Sequence, residues 1–412
     1  MNITLLNTAD KFKLLFISLL MFLSGLNFLS YAYVWMGVAA IIMLLSSRTD
    51  CFDSCFLIVF MLFLSMTFSI VLNSTVDGNK LILKYLLYPL VYLAFYHISR
   101  YFIGTENDIE QQNLMLYLII LSFSMGNFTH MVLDVIETDI SSINIGRRVI
   151  NDIWTKGTSP TTIIVGWGAL IPSLFLYSYE RRKELSLLHI LNSSTFVGMI
   201  VIGFMISTRL GIFNALASVI IYIYTKIRHH DLVLRKSFFY KIVPIAFFTV
   251  YLTYKLIPVI LSSNLANRLS NESTPFLNTN GRFEATIYLV QHFSESFFGG
   301  GYFTRQYGIK QHNILFQMYD EYGIIPFLVL LVIIVALIKS LYDYSKLAII
   351  RNDSKRFVIV VTVSLIIFLF EEPVLSSNYM ITTVLFMLFG YLRGANARIL
   401  NGLCLEEDKF EE

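Results

Sequence analysis

The chain has 412 residues, of which 56% are hydrophobic and 14% are charged, and its formal net charge is +3. Soluble domains usually carry about 25% charged residues. This composition, with a mean hydropathy of +0.66, excludes an ordinary soluble globular protein and predicts several membrane-spanning helices. The small net charge gives no indication of nucleic-acid binding. Three cysteines, Cys51, Cys55 and Cys404, are too few for a disulfide framework, and we expect no metal site beside them.

Apolar segments recur along the whole chain. A helix of about 20 mostly apolar residues is long enough to span a bilayer. We therefore predict an all-α, polytopic integral membrane protein with about twelve transmembrane helices. The predicted spans are residues 12–29, 31–47, 55–72, 81–98, 113–135, 160–178, 186–206, 210–226, 238–260, 322–341, 357–371 and 378–392.

Basic residues in the short loops set the orientation of the chain, because lysine and arginine are retained on the cytoplasmic side. Counting the predicted spans places four basic clusters on one side, together with Lys11 and Lys13 near the N-terminus. We therefore predict that both termini are cytoplasmic. The clusters are Arg181, Arg182 and Lys183; Lys226, Arg228, Arg235 and Lys236; Lys339, Lys346, Arg351, Lys355 and Arg356; and Arg393 and Arg398.

Two predicted outside segments are long. Residues 136–159 form the first, and residues 261–312 form a stretch of about fifty mostly polar residues. Loops of that length are usually functional or disordered. The helical periodicity of GRFEATIYLVQHF, broken by FGGGY, predicts short helices lying over the membrane face. The predicted organisation is a membrane domain of about nine spans at 1–260, a large outside loop at 261–321, three further spans at 322–392, and a cytoplasmic tail at 393–412.

The predicted outside face carries more arginine than the charge rule leads us to expect. Arg209 lies in a tight turn, FMISTRLGIF, between two apolar helices. A charge at that depth is costly unless it faces a cavity or a partner, although it can also extend to lipid phosphates. Arg282 follows an Asn-Gly turn at a predicted helix start, where backbone N–H groups and a guanidinium can both bind phosphate. A solvated surface arginine is the alternative.

His312 is the candidate general base, because neutral imidazole can accept a proton near pH 7. A polar anchor at the membrane edge is the alternative. The next residue, Asn313, would orient His312 or cap the following helix. Asp320 and Glu321 lie about two turns further on, where they would orient His312, contact a substrate, pair with the outside arginines or mark the water boundary. Gly323 predicts a bend into the next span.

Four motifs carry a family resemblance: STR at 207–209, NGR at 280–282, GGGY at 299–302, and HNILFQMYDEYGI at 312–324. On these residues the chain resembles the superfamily of O-antigen polymerases and O-antigen ligases, which are bacterial envelope polysaccharide enzymes. The most specific of the four is the last, with HN-x-x-L followed by acids and GI. The resemblance extends to the architecture, with about twelve spans and one large outside loop before the third-last span.

The resemblance implies a membrane glycosyltransferase that uses neither metal nor cofactor. Such an enzyme would act on the periplasmic side of the bacterial inner membrane. Arg209 and Arg282 would bind the diphosphate of an undecaprenyl-diphosphate-linked oligosaccharide, and His312 would activate the acceptor hydroxyl. Further possible substrate contacts are Arg147, Arg148, Arg305, Asn313 and Glu321.

Three activities remain open at this stage. The form of the HN-x-x-L motif favours a polymerase, which transfers the growing glycan to the non-reducing end of another lipid-linked repeat unit. A ligase would transfer the glycan to lipid A-core. A flippase for lipid-linked oligosaccharides is less favoured, because carriers usually bind near the bilayer midplane and the predicted spans hold almost no charge there. The expected partners are the lipid-linked oligosaccharide, membrane lipid and a protein that regulates chain length, but no nucleic acid.

Overall fold

The computed structural model describes most of the predicted spans and parts of the loops. The described residues are 8–46, 53–73, 78–101, 109–137, 149–151, 153–154, 158–160, 162–205, 209–228, 282–307, 311, 313–347, 349–371 and 379–407. The predicted span at 238–260 and the first part of the large loop therefore lie outside the described residues.

The described residues are helical apart from turns and one short antiparallel ladder, in which β1 (Val149–Asn151) pairs with β2 (Thr158–Pro160). Two 3₁₀ turns, Phe28–Ser30 and Phe293–Ser296, accompany the α-helices. The α-helices are α1 Thr8–Gly25, α2 Ala32–Leu45, α3 Ser54–Leu72, α4 Gly78–Tyr85, α5 Leu87–Tyr101, α6 Ile109–Glu137, α7 Thr162–Glu180, α8 Ser186–Met205, α9 Arg209–Arg228, α10 Arg282–Gln291, α11 Tyr302–Tyr307, α12 Ile314–Tyr322, α13 Ile324–Lys346, α14 Asn352–Glu371 and α15 Tyr379–Glu407.

Five segments within the described ranges are long and apolar enough to cross a membrane. Their outward faces carry large apolar side chains, such as Phe68 and Val335, which are 65% and 62% exposed. Apolar surface on this scale requires a lipid environment, so the protein is a helical membrane protein. The predicted count of twelve spans is not confirmed. The five segments are Ser54–Leu72, Gly78–Arg100, Glu110–Glu137, Ile324–Lys346 and Tyr379–Arg398.

The centre of the bundle is the close contact between α5 and α15. Gly390 and Gly394 stand four residues apart on α15, and a Cβ atom at either position would collide with the backbone carbonyl oxygen of Tyr92 or Tyr96 on α5. Small residues at this spacing let two membrane helices approach closely and gain packing contacts that larger side chains would prevent. α15 is consequently the most enclosed of the five segments.

Ion pairs between residues far apart in the sequence join neighbouring helices at one end of the bundle. Charged residues from separate helices meet at one end of the bundle, where Glu180 at the end of α7 pairs with Arg356 near the start of α14, and Asp53 before α3 pairs with Arg393 of α15. We call this the ion-pair end. The predicted cytoplasmic clusters around residues 181, 226, 351 and 393 all belong to it.

At the opposite end, Asn73, which directly follows α3, contacts a loop that precedes α11. That loop, Phe297–Gly301, is called the glycine loop, and we call this the glycine-loop end. Tyr85 of α4 and Tyr322 of α12 share a hydrogen bond of 2.5 Å there. Lys84 lies 4.7 Å from the ring centre of Tyr379, at the start of α15.

Candidate functional site

The structure gives the backbone positions of the two candidate diphosphate-binding arginines. Arg209 is the first residue of α9, and Arg282 is the first residue of α10. The predicted start of a helix at Arg282 is therefore observed. The side chains of both arginines lie outside the described residues, as do Arg147, Arg148 and His312.

The start of α9 lies at the same end of the bundle as the end of α14. The hydroxyls of Ser218 and Ser364 share a hydrogen bond of 2.7 Å that fixes the register of these antiparallel helices. Ser218 follows Arg209 by nine residues, and Ser364 precedes Glu371 by seven. At 1.5 Å per residue, Arg209 and Glu371 differ in height by about 3 Å. The backbone of Arg209 therefore belongs to the glycine-loop end.

Asn313 caps the helix that follows His312. Its side-chain Oδ1 accepts a hydrogen bond of 2.9 Å from the backbone N–H of Leu315, and its own backbone is extended. This arrangement is the one that N-terminal capping requires, and such a cap contributes about 1 kcal/mol. Of the two sequence-based roles for Asn313, capping is observed. Gln311, on the other side of His312, is buried.

Asp320 is fully buried and organises the chain around it. Its carboxylate accepts hydrogen bonds from the Ser296 hydroxyl at 2.9 Å and the Phe303 N–H at 2.9 Å. It also accepts two from Thr304, the N–H at 3.1 Å and the hydroxyl at 2.8 Å. The carboxylate thus holds the start of α11, where free N–H groups attract negative charge. A role as a water-boundary marker is therefore wrong for Asp320.

The glycine loop packs backbone against backbone on the end of α12. The N–H groups of Gly300 and Gly301 donate to the carbonyl oxygens of Glu321 and Asp320, at 2.9 and 2.8 Å. All three glycines of the GGGY motif have positive φ angles, between +66° and +88°. Non-glycine residues rarely adopt this conformation. The backbone conformation of the loop therefore explains why glycine occupies all three positions.

The predicted bend lies at Gly323, which separates α12 from α13 with φ +93° and ψ −173°. A Cβ atom at this position would lie 2.7 Å from the carbonyl oxygen of Phe297. The N–H of Ile324 donates to that same oxygen at 3.0 Å. Only glycine fits this position, because both the φ/ψ region and the close approach exclude a side chain.

Aromatic packing joins α10, α11 and α12 into one unit. The rings of Phe293 and Tyr319 stack with centroids 3.9 Å apart, and the Tyr319 hydroxyl donates to the Phe293 carbonyl oxygen. Leu289 of α10 and Phe303 of α11 are buried against Tyr319. The helix that begins at Arg282 is therefore fixed relative to the helix that follows His312.

Glu321 lies half-buried beside this unit. Its Oε1 accepts a hydrogen bond of 2.7 Å from the amide of Gln317, one turn earlier on α12. The neighbouring Tyr322 is enclosed by the bundle, and burial raises the pKa of its phenol well above the ordinary value. The phenol thus stays neutral while it bonds to Tyr85. Glu321 is the acid of the pair that remains partly accessible.

Arg305 is the candidate contact residue whose side chain lies over the glycine loop. A terminal nitrogen of its guanidinium lies 3.2 Å from the position that a Cβ atom on Gly300 would occupy. The side chain is exposed and makes no ion pair with any residue in the described ranges. An accessible guanidinium without a carboxylate partner is suited to binding an anionic substrate.

Comparison with known proteins adds no family assignment. No protein-family model matches the chain, and a search of curated proteins found no match. The family resemblance therefore depends on the four short motifs alone.

Sequence reasoning missed the partners of Asp320. Ser296 and Thr304 are 24 and 16 residues away from it, and nothing in a polar loop marks them as capping partners. Asn73 was also missed. Its side-chain amide donates to the Phe298 carbonyl oxygen at 3.2 Å across 225 residues of sequence. The three consecutive glycines were the one available signal that the backbone is closely approached here.

Proposed function

We propose that this protein is an O-antigen polymerase, which transfers glycan from undecaprenyl diphosphate to the non-reducing end of another lipid-linked repeat unit. The observation that carries the proposal is the joining of α10, the glycine loop and α12 into one unit. That unit connects the helix beginning at Arg282 with the segment containing His312. It lies at the end of the bundle where α9 begins with Arg209.

The proposed reaction is a displacement at the anomeric carbon of the donor sugar. The acceptor hydroxyl oxygen forms the new glycosidic bond while its proton passes to the neutral imidazole of His312. The bond between the anomeric carbon and the diphosphate oxygen breaks, and undecaprenyl diphosphate leaves as an anion. Arg209 and Arg282, each at a helix start, would neutralise that anion with their guanidinium groups and with backbone N–H groups.

The proposed topology has about twelve spans with both termini in the cytoplasm of a bacterium. The ion-pair end would face the cytoplasm, because the lysine- and arginine-rich loops belong to it. The glycine-loop end would face the periplasm, so that α10, α11 and α12 form part of a large periplasmic loop. Arg305 is the accessible candidate beside the glycine loop for contact with the diphosphate or the sugars.

An O-antigen ligase is the second candidate, since it would use the same donor site with lipid A-core as acceptor. A flippase is the candidate from a different class. Lipopolysaccharide from a strain lacking the protein separates the three on one gel. Core with a single repeat unit supports the polymerase, and bare core with accumulated lipid-linked polymer supports the ligase. Accumulation of lipid-linked units on the cytoplasmic side supports the flippase and overturns both transferases.

Substitution of the two arginines tests the donor site. We expect Arg209→Ala and Arg282→Ala each to abolish long polymer while the protein remains inserted at the wild-type level. Lys183→Ala is the matched control, because Lys183 is an exposed cation at the ion-pair end. Long polymer from either arginine variant would remove that residue from the proposed donor site.

A further inference from the structure

A polar cavity of about 440 Å³, broadly open to the surface, lies at the ion-pair end, at the opposite end of the bundle from the proposed site. It is formed where α7 and α9 end and α14 begins. Its volume falls in the range of small-molecule sites, which is about 300–1,000 Å³. The residues that line it are Tyr179, Glu180, Arg182, Lys226, Arg351, Asn352, Asp353 and Arg356.

The wall of the cavity carries four cationic and two acidic side chains. Glu180 is shared by two of the cations, with its carboxylate 3.0 Å from Arg356 and 3.2 Å from Lys226, so one positive charge remains in this group. Asp353 pairs with Arg351 at 2.9 Å. Both acids that face the cavity are therefore already paired with cations of the wall.

Arg182 is the cation of the wall that has no acid partner among the described residues. Its guanidinium donates to the Tyr179 carbonyl oxygen at 3.1 Å and lies 4.7 Å from the centre of that residue's ring. It makes no ion pair with the part of the chain that the structure describes. Arg356 is only 6% exposed and is fixed by Glu180. The cavity thus combines one fixed, buried guanidinium with one accessible guanidinium that has no acid partner among the described residues.

We propose that this cavity binds the phosphate of a phosphate ester, supplied by an anionic lipid headgroup or by a soluble metabolite. Arginine forks match the geometry of phosphate oxygens. The inference does not depend on the proposed function, since none of the lining residues belongs to the glycine-loop end.

The test uses the full-length protein in neutral detergent. Binding of phosphatidylglycerol is measured by native mass spectrometry, with glycerol 3-phosphate added as a soluble competitor. Arg182→Gln removes the cation that has no acid partner in the described ranges. Lys183→Gln removes an equal charge from the adjacent exposed residue, which does not line the cavity. Thermal midpoints without ligand verify that both variants fold.

We expect Arg182→Gln to weaken phosphatidylglycerol or glycerol 3-phosphate binding about tenfold, as loss of one charged hydrogen bond implies. Lys183→Gln should bind as the wild type does. Competition by glycerol 3-phosphate would assign the site to a soluble ester, and lipid binding without competition would assign it to a headgroup. Equal weakening by both substitutions, or none by Arg182→Gln, would overturn the site.

Discussion

The two ends of the helix bundle are held together by different means. At the glycine-loop end, backbone N–H and carbonyl groups pack directly on one another around the buried carboxylate of Asp320. At the ion-pair end, helices are joined by charged side chains such as Glu180 and Arg356. The comparison teaches that backbone contacts fix the first end and charged side chains fix the second, while each end also presents one exposed arginine, Arg305 or Arg182, that makes no ion pair within the described residues.

The largest loss of stability is expected from a substitution that blocks the backbone contacts of the glycine-loop end. Gly323→Ala places a Cβ atom 2.7 Å from the Phe297 carbonyl oxygen in a backbone region that is essentially restricted to glycine. We expect a loss of about 4 kcal/mol in the free energy of unfolding. The measurement is the denaturant midpoint of the purified protein in detergent.

Gly301→Ala is the matched control for that substitution. Gly301 also has a positive φ, +66°, but a Cβ atom there meets nothing within 4 Å. It should cost only about 1 kcal/mol, which is the penalty of the left-handed conformation alone. Equal losses from Gly301→Ala and Gly323→Ala would show that the close approach at Gly323 contributes nothing.

The buried carboxylate of Asp320 should contribute almost as much to the free energy of unfolding. Asp320→Asn keeps the shape but replaces one acceptor oxygen with a donor, which leaves an N–H group at the start of α11 without its acceptor. We expect a loss of about 3 kcal/mol. Asp343→Asn, which removes an acid with no hydrogen bond or ion pair to the described residues, should leave the midpoint within about 0.5 kcal/mol of wild type. An equally stable Asp320→Asn protein would contradict the role given to this residue.

The ion-pair end should respond less to a single loss, because its carboxylates have more than one partner. Arg356→Gln leaves Glu180 paired with Lys226 at 3.2 Å. We expect a loss of about 2 kcal/mol, below the usual cost of breaking a buried pair. The double substitution Glu180→Gln with Arg356→Gln measures the coupling. Additive effects of the two single changes would show that the pair does not hold α7 to α14.

The smallest effect concerns pH. Burial would raise the pKa of Asp53, but hydrogen bonds from Arg393 and Tyr92 outweigh burial and hold the pKa below its ordinary value of 3.8. The lowered pKa of Asp53 in the folded state contributes stability that is fully present above pH 3.8. This contribution is lost as the pH falls from 3.8 through the lower pKa of the folded state. The wild type should therefore be more stable than Arg393→Gln at neutral pH, with a difference that shrinks below that value. Thermal midpoints of both proteins across the acid range provide the measurement, and a constant difference would disprove this contribution.

Local signals made parts of the fold predictable. Apolar runs long enough to span a bilayer mark helices such as α3 and α13, since length and hydropathy are properties of the segment itself. The bend at Gly323 and the cap at Asn313 were also predictable, because glycine favours bends and asparagine favours helix starts whatever the rest of the fold. The predicted span at 81–98 is confirmed within the segment Gly78–Arg100, but the interruption of the helix between Tyr85 and Leu87 was not predicted.

Tertiary pairing was not predictable. The charge rule assigns Arg181 and Arg356 to loops as orientation signals, but both are almost fully buried, and Arg356 bonds to Glu180 across 176 residues of sequence. Sequence spacing gives no indication of which distant helix supplies the partner. The role of Asp320 also depends on a fold that returns residues 296–304 to α12. The side-chain geometry of Arg209, Arg282 and His312 stays a prediction.

The most direct test of the central claim, that the glycine-loop end performs glycan transfer, is the lipopolysaccharide ladder of a strain carrying His312→Ala. Loss of a general base slows a reaction by about 100-fold or more. We predict core with a single repeat unit and no ladder, with the variant present in the membrane at the wild-type level. A normal ladder would contradict the account.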